Sequence, residues 1–141
     1  GMVAGLGTIT PASGFVGPAG ALVIGLTAGL VCYIATQYIK RGLKIDDSLD
    51  VFPVHGVGGI LGTLLTGVFA AKSLGGLGMD STIAEQVMTQ LIGVLATIVW
   101  CGVISYVLLK ALDAVIGLRV TSEEETEGLD LVLHDERGYN L

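Results

Sequence analysis

Three stretches without a single Asp, Glu, Lys or Arg constrain this chain more than any other feature. They cover residues 1–39, 51–71 and 86–109. An apolar helix needs roughly 20 residues to cross the hydrocarbon of a bilayer, and each stretch is long enough. The first contains a break, Thr10-Pro-Ala-Ser-Gly14, so it divides into the end of one helix and the whole of another. A soluble chain of 141 residues could hide one such helix in its core. Three leave too little polar surface to cover them. Only 14% of the residues are charged, against about 25% in an ordinary soluble domain. The fold class read from this is all-α: a polytopic helical membrane protein.

The opening Gly1-Met2-Val3 lacks the positive lead of a signal peptide. Residues 1–13 read as the end of a truncated transmembrane helix and its turn, and the chain as part of a longer protein. Three transmembrane helices are expected within 14–120, at about 19–40, 50–71 and 83–116. Pro18 suits the first turn of the first of these, and Gly25-Leu-Thr-Ala-Gly29 is a small-xxx-small pair that would let its backbone approach a neighbour. Ser48 or Asp50 could cap the second, and Pro53 sits in its first turn, where a missing N–H does little harm. Gly56, Gly58, Gly59, Gly62 and Gly67 crowd that helix. Glycine costs about 1 kcal/mol against alanine inside a helix, so five of them argue for close packing. Trp100 lies in the middle of the third helix and not at an interface.

Charge sets the orientation. The net charge of −6 is mostly a property of the tail, residues 121–141. Seven of the thirteen acidic residues lie beyond Arg119: Glu123, Glu124, Glu125, Glu127, Asp130, Asp135 and Glu136. The first loop holds Lys40, Arg41 and Lys44, and Lys110 and Arg119 flank the last helix end, whereas the loop between them holds only Lys72. Two helices separate the two basic sites, so both face one side, and the positive-inside rule makes that side cytoplasmic. A multi-pass protein of the cell membrane with a cytoplasmic, acidic C-terminal tail is expected. Nothing is basic enough for a nucleic-acid surface. Cys32 and Cys101 both lie in apolar segments and form neither a disulfide framework nor a metal pair.

His55 is the main candidate for chemistry. It is the one ionisable group of its apolar segment. Such groups are costly in a membrane and usually face a bundle interior or a cavity. A neutral imidazole donates from one nitrogen and accepts at the other, which suits it to strip, hold or relay a proton. A core histidine bonded to nearby backbone is the equal alternative on physical grounds. A metal site is disfavoured, because no Cys, Asp or Glu stands at ligand spacing on the same helix. Asp50 reads as a helix cap. It is five residues before His55, a spacing that does not put two groups on one face. Asp46 and Asp47 read as solvated loop residues. In the tail, Leu129, Leu131, Leu133 and Tyr139 form an apolar pattern within an otherwise solvated segment, and His134 reads as a surface residue.

The motif Asp50-Val-Phe-Pro-Val-His55-Gly-Val-Gly-Gly59 resembles the late-helix motif of the ammonium transporter (Amt/MEP/Rh) family. Ile9-Thr-Pro-Ala-Ser-Gly14 resembles that family's Thr-Pro-Ala turn. Gly117-Leu-Arg-Val120, and Glu127-Gly-Leu-Asp-Leu131 followed by His134, resemble its C-terminal region. The resemblance covers essentially the whole chain in order. It implies an eleven-helix fold in homotrimers, a pore in each subunit, and a chain that carries the end of helix 8, helices 9 to 11 and the tail. His55 matches the second of two pore histidines, and Val51, Asp50 and Gly56 fall in the same motif. The partner histidine and the gate would lie in the preceding half. The tail departs from many relatives in having Asp135, not Gly, after His134. The implied function is passage of ammonium or ammonia across the membrane by histidine-assisted deprotonation, with no cofactor and no enzymatic step. A PII-type regulatory protein at the cytoplasmic face is the implied partner. An ammonium sensor signalling through its tail is the alternative. An appended signalling domain would mark a sensor; none follows within these 141 residues, so transport is the expectation. An unrelated helical bundle with a structural histidine loses its weight against four motifs in order.

Overall fold

The computed structural model describes residues 1–138; Tyr139 of the tail pattern lies outside them. Among the described residues every regular element is helical. The chain divides into two compact units, 1–98 and 99–141.

In the first unit, α1 (Met2–Ile9) ends in a tight 3-10 turn over Thr10–Ala12, where Pro11 removes a backbone donor. Helix α2 (Pro18–Gln37) starts at Pro18 and finishes in a wide turn, Tyr38–Gly42, with π-type hydrogen bonding. A second wide turn, Phe52–Val57, runs directly into α3 (Gly58–Phe69). Helix α4 (Ile83–Val115) begins in this unit, and the boundary between the units at Ile98 falls within it. Among the described residues three helical stretches are long and apolar enough to cross a membrane: Pro18–Gly42, Phe52–Phe69 and Ile83–Val115. The polytopic helical membrane fold expected from the charge-free stretches is the fold observed.

The helices pack by a simple rule. Helix α1 and its turn bury Ala4, Thr8 and Ala12; α2 buries Gly20, Ile24, Ala28 and Cys32; α3 buries Gly58, Gly62 and Thr66. Each set repeats every fourth residue, the spacing of one ridge on a helix surface. Nearly all are small, so the backbones of α1, α2 and α3 come close where all three meet. The Gly25–Gly29 pair is not this surface. A Cβ on either would have no neighbour within 4 Å, because the packed ridge of α2 lies one residue away. Of the five α3-segment glycines, Gly58, Gly62 and Gly67 are buried at contacts, while Gly56 meets only the Phe52 ring and Gly59 faces open space.

Hydroxyls in the apolar helices turn back on their own backbone. Thr10, Thr27, Thr63, Thr66 and Thr97 each donate to the carbonyl four residues earlier, at 2.7–2.9 Å. This satisfies a group that lipid cannot. Thr8 does not: its Oγ1 is fully buried without a hydrogen-bond partner.

In the second unit the chain after α4 forms two short helices, α5 (Ser122–Glu127) and α6 (Leu129–His134). A capping box starts α5: Glu124 N–H donates to Thr121 Oγ1, and Thr121 N–H donates to Glu124 Oε2 at 2.8 Å. Arg119 pairs with Glu125 at 2.9 Å. Gly128, at φ 107°, makes the corner between α5 and α6.

Candidate functional site

The segment around His55 begins in the loop after α2. Asp47 is not merely solvated. Its carboxylate accepts the backbone N–H of Val51 at 2.9 Å and of Phe52 at 2.8 Å, so it supplies the cap for the wide turn. These donors, Phe52 foremost, hold its carboxyl below the usual carboxylate range. Ser48 instead donates to Asp46. The Asp50 side chain, a capping candidate in the sequence, does something else: its Oδ1 lies 2.7 Å from Lys40 Nζ. Asp50 itself adopts a left-handed backbone at φ 55°.

His55 lies within the wide turn and is exposed on the surface of this chain. Its side chain makes no hydrogen bond among the described residues, so the backbone-bonded core alternative finds no support in its contacts. Helix α1 runs beside this turn: a Cβ placed on Gly7 would sit 3.6 Å from the Val54 carbonyl oxygen and 3.9 Å from His55 Nδ1. Those are ordinary van der Waals distances, so α1 runs beside the turn without needing a glycine at position 7. Val51 is 51% exposed one helical turn before His55, and Gly59 faces open space one turn after it. Gly56 leaves room for the Phe52 ring, which a Cβ there would approach at 2.9 Å. Val51, His55 and Gly59 thus form an open strip, apolar except for the imidazole. Asp50 does not join that strip; its charge is engaged with Lys40.

A cleft of about 290 Å³ lies nearby, lined by Cys32, Tyr33, Thr36, Gln37, Asp50 and Val54 among others. It borders the start of the wide turn, and His55 is not among its lining residues. No three His, Cys, Asp or Glu side chains converge among the described residues.

The three apolar spans, the small-residue ridges and a lone imidazole on an open apolar strip define a multi-span helical membrane protein. Residues 1–139 match the Ammonium Transporter Family. A putative ammonium transporter of Methanothermobacter thermautotrophicus is 47% identical over 100% of this chain and 36% of its own length. An ammonium transporter of Aquifex aeolicus is 48% identical over 100% of this chain and 33% of its own. A solved structure, "Sensor Amt Protein", superposes with a TM-score of 0.84 and 38% identity over 94% of this chain and 33% of that one. The chain belongs to the ammonium transporter family, and it spans about a third of the length of these relatives.

Proposed function

We propose that this chain forms part of a narrow apolar pore that passes ammonium or ammonia across the cell membrane. The observation that carries the proposal is His55: one titratable group, without a hydrogen-bond partner in the described chain, on an open strip of an apolar span. A bare cation is expensive in such surroundings, while a small neutral amine costs far less. An imidazole that accepts a proton from ammonium lets the neutral molecule continue, and the proton moves separately or with it. Potassium has no proton to give and is left at the barrier. No covalent step is involved. Val51 forms the wall next to the imidazole, and Gly56 leaves room for Phe52.

The membership of the chain in this family supports assembly as a homotrimer, and the folded tail supports docking of a PII-type protein at the cytoplasmic face. Charge supports the orientation: Lys40, Arg41 and Lys44 precede one pair of spans, and Lys110 and Arg119 follow it.

The test is His55→Ala and His55→Asp in the full-length protein, assayed for methylammonium uptake and for current. Loss of uptake or of discrimination against potassium is expected. Unchanged uptake with unchanged selectivity would refute the pore role of His55. The likeness to a structure titled as a sensor favours one second reading, in which ammonium binds and the tail reports it with little flux. Rapid ammonium flux through reconstituted protein would exclude that reading.

A further inference from the structure

We propose that Lys40 is a positioning residue for His55, acting through Asp50; this rests on the pore reading above. Asp50 stands two residues before the wide turn, and its φ of 55° is sparsely populated for a residue with a Cβ. Such a conformation persists only where its surroundings hold it. Two contacts do so. On one side, Lys40 Nζ lies 2.7 Å from Asp50 Oδ1, an oxygen that is otherwise buried without a partner. On the other, Asp47 accepts the N–H groups of Val51 and Phe52, the two residues that follow.

The wide turn decides where His55 faces. In an uninterrupted α-helix, residues three and seven apart share a face. His55 would then lie on the ridge of Gly58 and Gly62, which is pressed against Thr8 and Cys32. Fewer degrees of rotation per residue in the wide turn carry it off that ridge, and it is exposed while Gly58 and Gly62 are buried. Lys40 belongs to the other wide turn, Tyr38–Gly42, anchored beside it by buried Ile39. One ion pair therefore ties the first wide turn to the residue two positions ahead of the second, the one that aims the imidazole.

The test uses the full-length protein with Lys40→Met, which keeps the stem and removes the charge, and Lys40→Arg, which keeps the charge. Membrane abundance, methylammonium uptake and ammonium-to-potassium selectivity are measured beside wild type and His55→Ala. At wild-type abundance, Lys40→Met should lower maximal uptake about tenfold or more, as small misplacements of an acting group do. Its selectivity should shift towards that of His55→Ala, and Lys40→Arg should restore both. A structure of Lys40→Met should show the Phe52–Val57 turn relaxed to ordinary α-helical bonding. Wild-type uptake and selectivity in Lys40→Met, a retained wide turn, or a loss explained by abundance alone would each overturn the proposal. If no Lys40 variant reaches the membrane, the pair is only structural and the proposal falls. Absent uptake in the wild type would sink the ammonium reading, while the geometry of the turn in Lys40→Met would still decide the role of Lys40.

Discussion

The crossing of α1 and α3 permits a double-mutant test with a built-in control. At Gly58 an added Cβ would lie 2.8 Å from Thr8 Oγ1 and 3.3 Å from Cys32 Sγ. Both are side-chain atoms. At Gly62 the Cβ would fall inside the van der Waals envelope of the Thr8 carbonyl oxygen, which is backbone. Gly58→Ala gains about 1 kcal/mol of helix propensity and loses about 1–3 kcal/mol to overpacking, for a net loss of up to about 2 kcal/mol. Gly62→Ala meets an obstacle that no rotamer change removes, so it should lose more. Thr8→Ala should be close to neutral, because the buried Oγ1 has no hydrogen-bond partner to lose. Combined with Gly58→Ala it removes the clashing atom, and the pair should couple favourably by about 0.5–3 kcal/mol. Combined with Gly62→Ala it should help little, since the carbonyl remains. The assay is thermal unfolding of the three single and two double variants and wild type in detergent. Equal rescue of Gly58→Ala and Gly62→Ala by Thr8→Ala, or no rescue of Gly58→Ala, would refute the packing argument.

Three further outcomes follow from local contacts. Asp47→Asn should lower stability at neutral pH by weakening the cap on Val51 and Phe52. Because folding depresses the Asp47 pKa, its contribution is present above the ordinary carboxylate pKa and fades as pH falls through the folded value. Thermal unfolding curves of variant and wild type should therefore converge in acid, and a difference that persists there would count against the capping role. Thr121→Ala removes the hydroxyl of the capping box and should destabilise α5 by about 1 kcal/mol, read as faster amide exchange at Glu124 and Glu125. Single cysteines at Ser48 and Ser122 should label from one side of the membrane and one at Ser73 from the other; labelling of all three from one side would refute the orientation.

The spans were legible because charge is the one property a membrane helix cannot hide, and residues 51–71 and 86–109 carry none. The breaks at Pro11 and Pro18 were legible for a related reason: a missing N–H acts wherever it stands. What required the fold was the choice among equivalent candidates. Asp46, Asp47, Ser48 and Asp50 can all accept a backbone N–H, and only the path of the loop brings Asp47 to Val51 and Phe52. Gly25 and Gly29 have the spacing of a packing pair, but spacing alone does not say which face meets a neighbour, and the buried ridge runs through Ile24 and Ala28. That α1 runs beside the Val54–His55 segment carried no signal at all, since the two are far apart in sequence.

The wide turn at Phe52–Val57 resolves a conflict between two demands on one helix. Close packing needs Gly58, Gly62 and Thr66 on a face pressed against α1. The proposed pore role needs His55 on an open face, yet it stands three residues before Gly58, where regular helical geometry would send it to the packed side. Moving the histidine by a residue in sequence would not help in general, because the positions on either side, 54 and 56, are also partly covered. Changing the hydrogen-bond register turns the side chains of the Phe52–Val57 segment relative to α3 and leaves the ridge from Gly58 onward intact. Such a turn survives only if its start is held, and the left-handed Asp50 between the Asp47 cap and the Lys40 ammonium is that hold. The charged loop, which reads as a mere connector, is thus part of what orients the imidazole.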